Sequence, residues 1–566
     1  MKKRQYRKLV YLGLALCIIA CMLVIACGEP EPTTSSAPPT SSTAPTSSTA
    51  PTSSTAPPTT TSGPTSTAPP TSSSEPPTTM TPVYGGTLKI LGGTSPDNIG
   101  NHLLAIPSFN PFVPFPAVEP LMFADYYGNP VPFLLEGWDI DKDALTFTMY
   151  IKEGIRFHDG TPLNADAVIW NIQTMIEQQP VELLNVASLE ALDEYTVRIN
   201  LSQWDVLMEA NFMLKPGNMV SPTAIQENGM EWATTHPVYT GPFKFVSFES
   251  EVSLKYTRND DYWQEGKPYL DGIEWIFVSD VMTRVASFLA GEAHVVTGLT
   301  AVQANELAKT GDYIITTAPT QIFSLYPDSV NEDSPWYKLE VRQAAAYALN
   351  REEICDAFGY GFYEPSDQIG YPGYGAYNPD IQGYPYNPDK ARELLADAGF
   401  PDGFDTTIWY VSSGDDSVFQ AIQGYWAEVG INASLEVVQM NKIVEMSSQG
   451  WHNGIMTFLV PFVAVGYPPA KNITFHLSAT SPFNRSVWHP DDSLELLALS
   501  NTADTYDECN DICKEINRLL IDEYCTLLPI YVSPSIVAKV PYLHDDSIMI
   551  RWQDKWTPAD AWLEHE

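Results

Sequence analysis

The 566 residues carry 30 Lys and Arg against 69 Asp and Glu, a formal charge of −39 at neutral pH. So acidic a chain repels phosphate backbones, which excludes nucleic acid as a partner, and it lacks a basic surface for gripping anionic lipid. Aromatic residues make up 12% of the chain, enough for large cores or for a ligand site built on rings.

Lys2, Lys3, Arg4, Arg7 and Lys8 precede an apolar run from Leu9 to Ile25, the pattern of a secretory leader. Val24-Ile25-Ala26-Cys27 closes that run and resembles a bacterial lipobox. The resemblance implies cleavage after residue 26 and a lipid on Cys27, so residues 1–26 are expected to be a signal peptide. An uncleaved membrane anchor is the alternative, and both place the body outside the cytoplasm. Residues 27–82 are almost wholly Pro, Ser, Thr and Ala, with too little apolar surface to offset the entropy of ordering. They are expected to form an extended tether.

From Val83 onward the sequence is continuously globular and too long for one hydrophobic core, so two lobes are expected. Gly85 to Leu91 reads as a turn feeding a strand, and Thr146 to Ile151 as a strand. His158-Asp159-Gly160 reads as a turn, because neighbours on an extended chain point to opposite faces and do not aim at one substrate atom. Asn164 or Thr161 caps a helix opening at Ala165. Val341 to Ile354 is helical by period, as is Pro388 to Ala398, which begins with proline and stops at Gly399. Strands alternate with helices, giving a mixed α/β class. Cys355, Cys509, Cys513 and Cys525 lie in the body; a bridge from Cys509 or Cys513 to Cys525 and free buried thiols are both open, and no zinc pattern accompanies them.

Several blocks then occur in order. They are Gly85-Gly86-Thr87-Leu88, Glu136-Gly137-Trp138, Ile151 to Val168, Thr240-Gly241-Pro242-Phe243, Arg258 to Trp263, Val341-Arg342-Gln343-Ala344 with Asn350-Arg351, and Asn387 to Phe400. Together they resemble the extracytoplasmic solute-binding proteins of ABC importers, in the family of oligopeptide- and dipeptide-binding proteins. The resemblance implies an α/β, two-lobe periplasmic-binding-protein-like fold (type II, large peptide-binding class) with an inserted subdomain in the first lobe. Mapped here, residues 83–118, 238–325 and 528–566 form lobe 1, 119–237 the insertion and 326–527 lobe 2.

The resemblance also implies a noncatalytic receptor, acting as a monomer without a cofactor. It would pass a peptide or oligosaccharide ligand to the transmembrane subunits of an ABC permease while held at the membrane by its N-terminal lipid. Dipeptide-binding relatives hold the ligand's ammonium with an aspartate; Tyr467 stands at that position here, and Asp415 and Asp416 replace the segment that supplies an arginine to the carboxylate. A buried zwitterion needs a partner for each charge, so an apolar, aromatic cleft is expected instead. Its candidate wall residues are Tyr326, Trp409, Tyr410, Asp415, Phe458, Phe462 and Tyr467. A sensory binding protein of the same fold and a secreted hydrolase using Asp415 are the alternatives.

Overall fold

The computed structural model describes residues 81–104, 113–125, 128–178, 180–411, 416–460, 469–478, 484–548 and 557–564, all within the compact unit Thr79–Glu566. Cys27, the expected leader and the expected tether up to residue 80 lie outside the described residues. Among those described, no helix is long and apolar enough to cross a membrane.

Strand β1 (Thr87–Gly92) opens the body, followed by a ribbon of β2 (Met122–Ala124) and β3 (Pro130–Pro132). An antiparallel sheet comes next, made of β4 (Leu135–Asp141), β5 (Thr146–Ile151), β6 (Val186–Asp193) and β7 (Thr196–Leu201) in the order β4-β5-β7-β6. The chain continues through β8 (Phe243–Glu249), β9 (Ser253–Arg258), β10 (Gly272–Phe277) and β11 (Val295–Val296) to the long strand β12 (Ile314–Pro327). After β13 (Glu364–Pro365) come β14 (Phe404–Tyr410), β15 (Ile431–Val437) and β16 (Gly454–Val460). The second long strand, β17 (Leu528–Lys539), precedes a short pair, β18 (Leu543–His544) and β19 (Trp562–Leu563). The largest sheet runs β15-β14-β16-β12-β17-β11-β1-β10-β9-β8, with β13 also on β17.

Local chemistry sets the element ends. Asn164, not Thr161, caps helix Ala165–Ile176, its side chain accepting from Ala167 N at 3.1 Å, because Thr161 is held by Asp159. Helix Pro388–Asp397 starts on its proline and is followed by Gly399 at φ +89°, a left-handed position that favours glycine. The expected single helix from Val341 to Ile354 is instead two, Leu339–Tyr347 and Arg351–Gly359. Asn350 leaves helical geometry and turns its side chain to cap Glu353 N at 3.1 Å, and that local bond outcompetes continuation.

Three hydrophobic cores result. The first holds Leu88, Ile90, Ile273, Trp275 and Val295, the second Ile322, Trp336, Ile408, Trp426 and Ile455. The third lies between the four-stranded sheet and helix Ala165–Ile176, around Phe147, Met149, Val168 and Ile199. Strands β12 and β17 cross between the first two: Ala318 and Ile536 to Ala538 enter the first core, whereas Ile322 to Tyr326 and Leu528 enter the second. They pair antiparallel from Ile314↔Lys539 to Leu325↔Leu528. Midway Pro319 faces Pro534 and the register slips before Gln321, so the ladder loses donors between the cores.

Glu119 is a buried acid that gathers three donors from the stretch between Thr240 and Trp263. Its carboxylate is 1% exposed and accepts from Tyr262 Oη (2.6 Å), Thr240 Oγ1 (2.9 Å) and Trp263 Nε1 (3.0 Å). Burial outweighs these three donors and raises its pKa from 4.5 to about 7. Between those values the folded protein keeps a proton that the unfolded chain releases, so stability falls as pH rises through the window. At about 1.4 kcal/mol per unit, the loss above pH 7 is roughly 3 kcal/mol. Glu119→Gln is expected to flatten this slope in urea unfolding compared at pH 5 and pH 8. An unchanged slope would assign the pH dependence elsewhere.

Candidate functional site

The crossing strands fix where a ligand can sit. β1 runs parallel to β10 and β11, and β11 pairs with β17 as Val295↔Lys539 then Val296↔Ala538. The carboxyl ends of these three strands therefore point along the crossing toward the second core. β14 lies parallel between β15 and β16, and β16 pairs with β12 from Pro327↔Ile455 to Ile322↔Val460. Its carboxyl end points back toward the first core. Two sets of parallel strands thus face one another across the Pro319–Pro534 midpoint. Open α/β sheets bind ligands outside the carboxyl ends of their strands.

On the first side, Arg284 occupies the base of this region. Its guanidinium is 6% exposed with the rest of the residue, and it donates to Val278 O (2.7 Å), Ser279 O (3.0 Å) and Gly298 O (3.3 Å). These carbonyls lie just past β10 and β11. A Cβ on Gly93 would stand 3.4 Å from Nη1, so glycine lets the chain after β1 pass close over the guanidinium. Ser95 follows, its Oγ donating to Glu251 Oε1 at 3.0 Å.

On the second side, a column of rings leads from the crossing to the end of β14. Tyr363 stacks on Tyr531 (4.6 Å), Tyr531 on Phe323 (5.0 Å), Phe323 meets Phe419 edge-on (5.6 Å), and Phe419 stacks on Tyr410 (3.8 Å). Sequence reading found only the last of these five. The signal available for Phe323 was period two along β12, but its partner Tyr531 is more than 200 residues away.

The candidate wall residues separate. Tyr410 is buried on Phe419, and burial followed by its hydrogen bond to Asp416 raises its pKa. Trp409 is its neighbour on β14, takes the opposite face and donates from Nε1 to Glu436 Oε2 at 2.8 Å. Tyr326 is fully buried in the second core, and its hydroxyl has no hydrogen-bond partner among the described residues. Phe458 has a place in β16 opposite Ser324. Asp415, Phe462 and Tyr467 lie outside the described residues, in the segments that follow β14 and β16.

The remaining motifs are structural in their contacts. His158 Nε2 bonds Gly241 O (2.9 Å), while Asp159 accepts from Thr161 and from Ser221, so the two side chains serve different partners around the turn at Gly160. Burial lowers the His158 pKa to about 4. All four body cysteines are free and buried. Cys513 is hydrogen-bonded to Cys509, which together with burial pushes its pKa up; burial raises Cys355 to about 12 and Cys525 to about 11. Among the described residues no cluster of His, Cys, Asp and Glu could hold a metal.

Comparison with known proteins fits this geometry. Residues 129–485 match the family model described as bacterial extracellular solute-binding proteins, family 5 Middle. The glutathione-binding protein GsiB of Salmonella typhi is 33% identical over 328 residues, and GsiB of Escherichia coli O1:K1 / APEC is 34% identical over 328 residues. Each match covers 56% of this chain and 63% of the relative, so the chain spans less than two thirds of these proteins' length. Among solved structures, the periplasmic binding protein DppA of Helicobacter pylori, in complex with peptide STSA, superposes with a TM-score of 0.69 at 21% identity, covering 85% of this chain and 99% of that one. The substrate-binding protein CtaP of Listeria monocytogenes gives 0.73 at 22%, covering 85% and 100%. The fold is therefore the expected α/β binding-protein fold. With more than half of its length matched by the family model, the chain belongs to the bacterial extracellular solute-binding proteins of family 5.

Proposed function

We propose that this chain is the substrate-binding component of an ABC importer, holding a peptide-class solute between two lobes and releasing it unchanged to the permease. The observation that carries the reading is the opposition of two sets of strand carboxyl ends across β12 and β17. Residues 83–118, 238–325 and 528–566 form lobe 1, with 119–237 inserted and 326–527 as lobe 2; the three separate cores support this division. The Pro319–Pro534 step, where the ladder is weakest, serves as the hinge. Glutathione in the name of GsiB and the peptide bound to DppA favour a peptide over an oligosaccharide.

The body acts as a monomer without catalysis. Cleavage after residue 26 and lipid on Cys27 hold it outside the cytoplasm, with residues 27–82 as the tether. Trp409 and Tyr410 are the last two residues of β14, and Asp415, Phe458, Phe462 and Tyr467 follow β14 or lie in and after β16 in sequence, which supports their assignment to the same carboxyl-end region. Tyr326 supports this wall from the second core.

Intrinsic tryptophan fluorescence, titrated with di- to pentapeptides, glutathione and oligosaccharides, tests the reading. Saturable binding of one peptide class, with the peptide recovered intact, is expected. Saturation by sugars alone, or hydrolysis of the bound peptide, would overturn it.

A further inference from the structure

The second lobe meets the rest of the body at a place other than the crossing. Residues 326–527 join the chain only through β12 and β17, yet Trp204, in the turn after β7, donates from Nε1 to Ala503 O at 2.6 Å. Trp204 packs against both the second and third cores, and Val206 and Leu207, 4% and 5% exposed, are buried in the second. Lys142 lies over the Trp204 ring at 5.6 Å and pairs with Asp504, so two neighbouring residues ahead of helix Tyr506–Arg518 are held from the insertion. Farther along the seam, Lys471 of helix Pro469–Leu477 reaches Glu182 at 3.3 Å. Burial lowers the Lys471 pKa, while Glu182 and Asp205 act the other way as its counter-charges.

The insertion that supplies this turn is fixed to the first lobe. Ile99 N and Gly100 N donate to Thr234 O at 2.8 and 3.1 Å, Asn101 Nδ2 donates to Met230 O at 2.8 Å, and His158 Nε2 bonds to Gly241 O at 2.9 Å. Toward the second lobe no strand is paired across the seam among the described residues. Side chains make that contact instead. A bend at the Pro319–Pro534 step therefore has to draw Trp204, Val206 and Leu207 out of the second lobe and part Lys471 from Glu182. Opening wets apolar surface and strips a half-buried charge of its partner, so the seam favours the closed form. Apparent affinity scales with the population of the form that can hold the ligand.

We propose that Trp204 is a positioning residue for peptide capture: with Lys471 it latches the second lobe onto the insertion and sets ligand affinity by stabilising the closed form, without touching the peptide. The proposal rests on the two-lobe importer reading.

Trp204→Phe keeps a ring in the seam and removes the donor to Ala503; Lys471→Met keeps the stem and removes the charge. Pulsed electron resonance between nitroxides on Glu190→Cys and Glu495→Cys, exposed residues on either side of the seam, reads closure in the full chain without any peptide. Cys17, Cys21 and Cys27 are changed to serine for labelling, and the four body thiols are buried. Both variants are expected to lengthen the mean distance in ligand-free protein. Both are expected to weaken the peptide selected by titration by about fivefold or more, through faster dissociation, with saturating peptide restoring the parent distance. Parent-like distances in both folded variants would overturn the latch. So would weaker affinity at unchanged distance, the result that a merely structural role gives. Should no peptide bind the parent chain, the importer reading fails while the distances still decide the latch.

Discussion

Arg342→Ala is expected to lower the unfolding free energy by about 4 kcal/mol, a large share of what a marginally stable body has in reserve. The side chain is 2% exposed and has no ion pair among the described residues. Its guanidinium instead donates to Trp336 O (2.9 Å), Tyr337 O (2.7 Å), Tyr524 O (2.8 Å) and Cys525 O (3.0 Å). Tyr524 and Cys525 follow the last turn of the helical segment running from Tyr506 to Glu523, where unpaired carbonyls and the negative end of the helix dipole gather. The carbonyl fan replaces a carboxylate as counter-charge. Removing the guanidinium leaves several buried acceptors short of a charged donor, each costing about 1–3 kcal/mol. Arg342→Lys supplies a point charge without the planar fork and is expected to recover only part of the loss. Urea unfolding of the two variants checks this; a fall below about 1 kcal/mol for Arg342→Ala would show that water restores the acceptors.

Phe323→Ala is expected to cost about 4 kcal/mol as well, from a ring 4% exposed at the centre of the aromatic column. Phe323 stands directly across the ladder from Tyr531, and on its other side touches Phe419. Its removal leaves a void and breaks two ring contacts at once. The column ends at Tyr410, the last residue of β14, so the same substitution is expected to weaken peptide binding beyond the loss of stability. Phe323→Leu preserves most of the volume and should stay within about 1.5 kcal/mol of the parent. Chemical denaturation at fixed pH separates the two, with peptide affinity measured where each variant remains folded. Wild-type affinity in a folded Phe323→Ala protein would disconnect the column from the cleft.

Local signals in the chain survived folding where one or two bonds decide them. Asn164 caps its helix, Pro388 and Gly399 bracket theirs, and the Asp159-Gly160 turn forms around its own hydrogen bonds. The helix expected through Ile354 failed at Asn350 because helical period carries no information on a competing side-chain bond. Arg342 and Arg351 were visible only as parts of a family block. Their role is to bind carbonyls brought from Tyr524 and Pro529, nearly 180 residues downstream or more, which no local pattern encodes. The candidate wall residues show the same division. Trp409 and Tyr410 are adjacent on a strand and take opposite faces, so period two separates residues that composition had grouped. The facing of strand ends required the β12–β17 pairing, a contact between distant parts of the chain.

The central claim is that a solute is gripped where the carboxyl ends of β1, β10 and β11 face those of β14 and β16. A crystal structure of the protein with the peptide selected by titration tests it most directly. The account expects the peptide intact, in contact with the chain after Gly92 on one side and after Tyr410 or Val460 on the other. A peptide bound elsewhere, or touching only one of the two strand sets, would contradict it.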